Sequence, residues 1–337
     1  MQTFRVSEDQ AGQRLDKFVR KVLAGVPSSA IYKLIRTKTI RVNGARAQPE
    51  QLLAKGDEVL FRLDPEKIKG PRAAAESEPK APAKLQGFEV LYEDDHVLAI
   101  DKPPGMAVHP GSGIHEGTVV DEVRAYLGPR AVRNEFAASP AHRIDRDTSG
   151  VLLVAKTRRA MVRLTEIFTA GTANKTYLTV AKGKVSRESG TIDLPLQEHQ
   201  QTSRSKDLHG VRMQPAVTHY KRLAHTPAAS LLACTIETGR THQIRRHLAA
   251  IGHPVVGDRK HGDFPFNREA KARWGLKRMF LHAYRIELEH PIHGGKLKAL
   301  APLPPELRSA LKRMNLQLPT EFDAKAPATK PTRSAEP

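Results

Sequence analysis

Residues 142–157 read His-Arg-Ile-Asp-Arg-Asp-Thr-Ser-Gly-Val-Leu-Leu-Val-Ala-Lys-Thr. The first nine are polar and turn-like, and Val151 to Ala155 form an apolar, partly β-branched run, the pattern of a strand buried on both faces. Asp145 and Asp147 therefore stand in a polar turn at the entrance to a core strand. Three readings compete for them. Asp and Ser commonly do no more than bond turn backbone. An acidic pair Asp145-x-Asp147 could instead serve a metal-dependent phosphotransferase of the haloacid-dehalogenase type, with Asp145 as nucleophile. That chemistry places its acids after an apolar strand, whereas Ser139-Pro140-Ala141-His142-Arg143 precedes them here and the strand follows. The third reading is a lone catalytic carboxylate. Burial disfavours its charged form, so it needs a cation beside it.

Residues 237–248, Glu-Thr-Gly-Arg-Thr-His-Gln-Ile-Arg-Arg-His-Leu, offer that cation. Gly239 predicts a tight turn and the run from Thr241 a helix with its basic residues near one end, which could equally be an ordinary basic surface helix. His242 and His247 are five apart and do not share a helix face as an i, i+4 zinc pair would. No metal is predicted.

The 337 residues hold 55 Lys+Arg against 36 Asp+Glu, a net charge of +19, and 39% are hydrophobic. No apolar run is long enough to span a membrane, and Met1–Gln10 has no signal-like apolar core. The single cysteine, Cys234, excludes an intramolecular disulfide framework and multi-thiolate metal sites, which fits a cytoplasmic protein. The basic excess belongs to the parts expected to fold, with +6 on residues 1–62 and +10 on 86–323. Solubility alone could explain it, but a polyanion partner is the sharper reading, and nucleic acid suits it better than a membrane.

Composition divides the chain. Residues 63–85 are rich in Pro, Ala, Lys and Glu and predict a flexible linker, and 319–337 predict a disordered tail. The unit 1–62, with its core at 14–62, carries Leu15, Phe18, Val19, Val22 and Leu23 at helical spacing. A second short helix follows Pro27-Ser28-Ser29, an Asn43-Gly44 hairpin comes next, and a strand closes at Glu58–Phe61. The unit 86–318 holds the chemistry.

The stretches RLDKFVRKVL, SSAIYKLIRTKTIRVNG and LLAKGDEVLF resemble the RNA-binding module named after the fourth protein of the small ribosomal subunit. On that resemblance Arg14, Lys17, Lys33 and Arg36 are expected to meet RNA. Downstream, YEDDHVLAIDKPPGMAVHPG, HRIDRDTSGVLLVAKT, KTYLTVAKG, ETGRTHQIRRHLAAIGHPVVGD and RMFLHA resemble, in order and spacing, the motifs of the RluA-type pseudouridine synthases, and most of all those members that modify large-subunit ribosomal RNA.

The resemblance implies an α+β (mixed α/β) catalytic domain on a curved, largely antiparallel sheet. It also implies that Asp145 is the catalytic residue, that Tyr177 stacks on the base and assists proton removal, and that Arg245 pairs with Asp145. Arg143 would enter the RNA stack in place of the flipped uridine, Leu281 would line the uracil pocket, and Asp147 would be structural. Ile144 stands where the family has Leu, a volume-conserving change. The reaction breaks a glycosidic bond and rejoins the base through carbon, so no cofactor is expected. The expected partner is large-subunit ribosomal RNA or its precursor particle, with the protein acting as a monomer.

Overall fold

The computed structural model describes residues 1–7, 10–23, 26–63, 87–111, 114, 116–133, 136–197 and 213–323. Nearly all of the predicted linker, and the predicted tail beyond Asp323, lie outside them. The tail's first residues are ordered: a turn at Thr320–Phe322 brings Phe322 to 5.4 Å from the ring of Tyr284, and Asp323 accepts from Arg308. The prediction of disorder from 319 is corrected by that aromatic anchor, a single residue in a Pro/Ala/Lys-rich context.

The chain forms two compact units. The first comprises Met1–Lys84 with two later stretches, Arg124–Ala138 and Lys156–Arg159, that composition did not assign to it. Strands β1 (Gln2–Arg5), β2 (Ile40–Val42), β3 (Ala45–Arg46) and β4 (Glu58–Phe61) make a sheet in the order β1-β4-β2-β3, beside helices α1 (Leu15–Val22) and α2 (Ser28–Arg36). Helix α1 buries Leu15, Phe18, Val19 and Val22 and exposes Lys17 and Arg20, as its 3.6-residue periodicity predicts. Asn43 (φ 49°) and Gly44 (φ 73°) both take the left-handed conformation that a two-residue turn between β2 and β3 requires.

The second unit comprises Leu85–Val123, Ser139–Ala155 and Ala160–Pro337. After β5 (Glu89–Glu93), β6 (Val97–Lys102) and α3 (Val119–Leu127), the chain passes two short strands of the first unit, β7 (Val132–Arg133) and β8 (Phe136–Ala137). It returns as β9 (Ser139–Pro140), β10 (Ser149–Ala155), α4 (Arg158–Thr169), β11 (Asn174–Lys182), β12 (Ser189–Asp193) and β13 (Leu196–Gln197). Then come β14 (Met213–Gln214), β15 (Val217–His225), β16 (Ala229–Ile236), α5 (Gln243–Ala250), α6 (Phe264–Trp274), β17 (Leu281–Glu289), β18 (Lys296–Leu300) and α7 (Pro305–Arg313). The ten-stranded sheet runs β12-β15-β16-β11-β17-β10-β6-β5, with β18 beside β17 and β9 beside β10. Every pairing is antiparallel except β10 with β17. All seven residues of β10 are buried, which is why the sequence shows no alternation there.

The parallel seam creates the site. Ser149 and Gly150 of β10 lie opposite His282 and Ala283 of β17, so the turn before β10 and the first residue of β17, Leu281, emerge together. Strand β11 pairs with β17 on its other side, Tyr177 opposite Ala283, with a register shift between Thr176 and Tyr177. Bulges of this kind re-aim side chains beside active sites. Gly150 takes φ 113°, and a Cβ there would come within 2.2 Å of the Ala283 carbonyl oxygen. Gly150→Ala should therefore cost about 3 kcal/mol from backbone strain plus overpacking, read as a lowered denaturant midpoint. A change below about 0.5 kcal/mol would show that the seam adjusts freely.

Candidate active site

Asp145 sits in a turn closed by the Thr148 N–H on its own carbonyl (3.1 Å). The turn is held to β6 by Lys102, which is fully buried and donates to the carbonyls of Pro103, Met106 and Arg146 at 2.7, 3.0 and 3.0 Å. Burial pulls the Lys102 ammonium down to about 7, and the negative charges of Asp147 and Asp145 oppose that. Asp147 itself is exposed, 4.0 Å from Arg146. Its support for the loop is the field it places on Lys102. His142 accepts from the Leu153 N–H (3.0 Å), and its ring lies 4.8 Å from that of Phe168.

Arg245, the third residue of α5, donates through Nη1 to Asp145 Oδ2 at 2.9 Å. Its Nε and Nη2 are held by both oxygens of Asp258, at 2.7 and 2.8 Å. Asp258 is wholly buried and also accepts the N–H groups of Lys260 and His261. Those bonds and the guanidinium hold its carboxyl below the usual carboxylate range against burial, and the two carboxylates raise Arg245 above its ordinary value. One cation between two carboxylates leaves the cluster net negative. Asp145 Oδ1 has no hydrogen-bond partner among the described residues. Bidentate pairing fixes the guanidinium plane, which in turn fixes Asp145. Asp258 ends the stretch GHPVVGD, and nothing local marks it as the partner of a residue thirteen positions earlier.

The cavity around Asp145 is narrow and is lined by Arg143, Ile144, Thr148, Tyr177, Arg245 and Leu281, among others. The structure thus brings together the five residues singled out for the chemistry and the flipped base. Tyr177 and Leu281 are buried, while Arg143 is exposed. Burial and the charge of Asp145 both push the Tyr177 phenol up, so it stays protonated at neutral pH. The Thr148 hydroxyl is buried and has no hydrogen-bond partner among the described residues. His242 also lines the cavity, in a left-handed conformation (φ 56°) just before α5, with Nδ1 2.9 Å from His261 Nε2. Burial lowers His242 to about 4, so the pair is neutral. The bend predicted at Gly239 is carried by Glu237–Thr238 and by His242, since Gly239 has no positive φ.

In the first unit, Lys17, Lys33 and Arg36 are exposed, and no carboxylate pairs with them among the described residues. Arg14 differs: its guanidinium bonds both oxygens of Asp16 (3.1 and 3.0 Å) and reaches Glu50 at 3.3 Å. Arg14 is thus paired within the module, whereas Lys17, Lys33 and Arg36 are not paired with a carboxylate among the described residues. The only candidate metal cluster among the described residues, Asp94, His290 and His293, lies at the far ends of β5 and β17. There His290 Nδ1 accepts the N–H groups of Ile292 and His293, which leaves the proton on Nε2, 2.7 Å from Asp94. Cys234 is buried on β16, and burial pushes its thiol up to about 12.

The chain combines a carboxylate held by a buried arginine on the seam of a mixed sheet with a separate module whose helices expose basic residues, and its likeness to known proteins gives the class. The family model described as RNA pseudouridylate synthase matches residues 96–250, and that of the S4 domain matches residues 13–59. The chain belongs to the RNA pseudouridine synthase family and is an isomerase of that class. It is 38% identical over 311 residues to ribosomal large subunit pseudouridine synthase C of Escherichia coli K12, covering 92% of this chain and 95% of that one. It is 38% identical over 321 residues to the protein of the same name from Vibrio cholerae, covering 93% and 97%. Among solved structures, human RNA pseudouridylate synthase domain containing 4 superposes with a TM-score of 0.56 at 24% identity, covering 68% of this chain and 94% of that one. No described helix is long and apolar enough to cross a membrane.

Proposed function

We propose that this chain converts uridine to pseudouridine in large-subunit ribosomal RNA, in the cytoplasm, with Asp145 as the catalytic carboxylate. The relatives over 90% of the chain carry that substrate in their names. The observation that carries the mechanism is the Asp145–Arg245–Asp258 cluster, which leaves one oxygen of Asp145 free in a cavity walled by an aromatic ring and a leucine.

The target uridine must leave its stack to reach that oxygen, at a cost of a few kcal/mol. Arg143, exposed at the cavity mouth, is suited to fill the gap it leaves. In the cavity the uracil lies against Tyr177 and Leu281, and the unpartnered Thr148 hydroxyl is available to its polar edge. With Asp145 acting at the base or the sugar, the N1–C1′ bond breaks, the base turns, and C5–C1′ forms. The proton on C5 then leaves while N1 regains one, so atoms balance with no added group and no cofactor. A protonated Tyr177 can assist only by passing its own proton on as it takes the one from C5. Lys17, Lys33 and Arg36 supply phosphate contacts that position without reading sequence.

Mapping pseudouridines in large-subunit ribosomal RNA from cells with and without this gene tests the reading. One or more modified positions should vanish on deletion and return on complementation. An unchanged map would overturn the assignment of substrate.

A further inference from the structure

A second cavity, of about 310 Å³, adjoins the one around Asp145, and the two share Arg143, Tyr177, Ile236 and Gly239 as wall. The uridine cavity is the smaller, at about 70 Å³. The rest of the larger one's wall includes His142, Phe168 and Thr169 in the last turn of α4, and Lys175 at the start of β11. The Lys175 ammonium lies 5.9 Å from the centre of the Phe168 ring, and among the described residues no carboxylate pairs with it. Lys175 is partly buried, and burial lowers its pKa with no acid to offset the shift.

A cation kept out of water without a counter-charge costs free energy. Two structural explanations fall short. A lysine beyond a helix end can cap the last carbonyls. Here the carbonyls of Glu166, Ile167 and Phe168 are already met by the N–H groups of Ala170, Thr172 and Gly171. A cation over a phenyl ring gains about 0.5–1 kcal/mol at an exposed site, and a lysine left in water would gain as much without the burial. Around the cavity the other groups agree in sign. Arg143 is a second cation with no acid partner among the described residues, and the Thr169 hydroxyl makes no hydrogen bond there. His142 accepts from the Leu153 N–H, and burial lowers it to about 3, so it stays neutral.

We propose that this cavity is a phosphate subsite, in which Lys175, with the Thr169 hydroxyl, binds the backbone phosphodiester next to the uridine held in the adjoining cavity. The proposal rests on the RNA reading above and deepens it. A nucleotide turned out of its stack brings its flanking phosphate with it, and an ammonium waiting one wall away holds the turned-out state by charge. The ammonium serves as a point charge, as lysine commonly does for phosphate. A free nucleoside, having no phosphodiester, gains nothing from it.

The test uses the full chain with Lys175→Met and Lys175→Arg. Affinity for a target RNA fragment is measured across about 50–200 mM salt, with thermal unfolding of each variant. Lys175→Met should bind about tenfold more weakly, and the slope of log affinity against log salt should fall by about 0.7–0.9, the loss of one phosphate contact. Lys175→Arg should keep both. A folded Lys175→Met with unchanged affinity and slope overturns the subsite. Should that variant unfold, the rate at which an acylating reagent modifies Lys175 in the wild-type protein decides the question. RNA should slow it and uridine nucleoside should not, and a rate indifferent to RNA overturns the proposal. Pseudouridine formation by the wild-type protein on the same RNA is measured alongside. A wild-type protein that binds but does not isomerise refutes the proposed substrate, a result separate from the salt slope.

Discussion

Asp145→Asn should reduce pseudouridine formation by at least about a thousand-fold, equivalent to about 4 kcal/mol at the transition state, while leaving RNA affinity within about threefold. The asparagine amide keeps the shape of the carboxylate, and its oxygen can still accept from Arg245 Nη1, so the pocket should survive. Arg245 does not become an orphaned buried charge, because both oxygens of Asp258 continue to hold it. What disappears is the negative charge and the free oxygen facing the cavity. A single-turnover assay that counts the proton released from C5, beside a binding isotherm on the same RNA, separates chemistry from binding. A variant that isomerises within tenfold of the wild type would remove Asp145 from the mechanism.

Asp258→Asn should lower the single-turnover rate by about a hundredfold, with a much smaller change in RNA affinity. Asp258 does not line the cavity, so this is a positioning effect: it acts through Arg245. Without it the guanidinium answers to Asp145 alone. It can then swing into a two-point pair with that carboxylate, drawing the free oxygen out of the cavity and neutralising it, and a misplacement of about 1 Å can cost this much. Stability should fall as well, by about 3–5 kcal/mol, because removing one partner of a buried ion pair leaves the other uncompensated. The stability loss alone would fit a merely structural residue. The split between rate and affinity, measured in the folded variant below its unfolding temperature, is what a positioning role requires. A folded Asp258→Asn with wild-type turnover would show that Asp145 needs no help to hold its place.

Much of this molecule can be read in one dimension because its decisive signals are local. The heptad-like spacing of Leu15, Phe18, Val19 and Val22 specifies a helix face whatever it packs against, and Asn43-Gly44 specifies a turn through the φ values those residues tolerate. The change from polar to apolar at Ser149–Val151 marks a strand entering the core, and that strand follows the acidic pair. This order is what set aside the phosphotransferase alternative. Motif order carried the family, and with it Asp145, Tyr177, Arg245, Arg143 and Leu281, all of which meet in one cavity.

The charges were less legible, because a charge acts through its neighbours in space. Arg14 has the same place in the pattern as Lys17, yet it folds back on Asp16 and Glu50. Lys175 was only the first letter of a motif until the chain around it left the ammonium beside a phenyl ring without an acid. By itself, the sequence determined the main helices, turns and strands of the two units and the family, and it singled out Asp145 as the candidate carboxylate, since periodicity, turn chemistry and motif wording act over a few residues. Only the tertiary structure decided that Asp258 governs Arg245, that Gly150 must be glycine for a parallel seam to close, and that of two basic residues one is spent and another is free. Those facts depend on contacts between residues as far apart in the chain as Gly150 and Ala283, and on which polar groups the fold takes out of water.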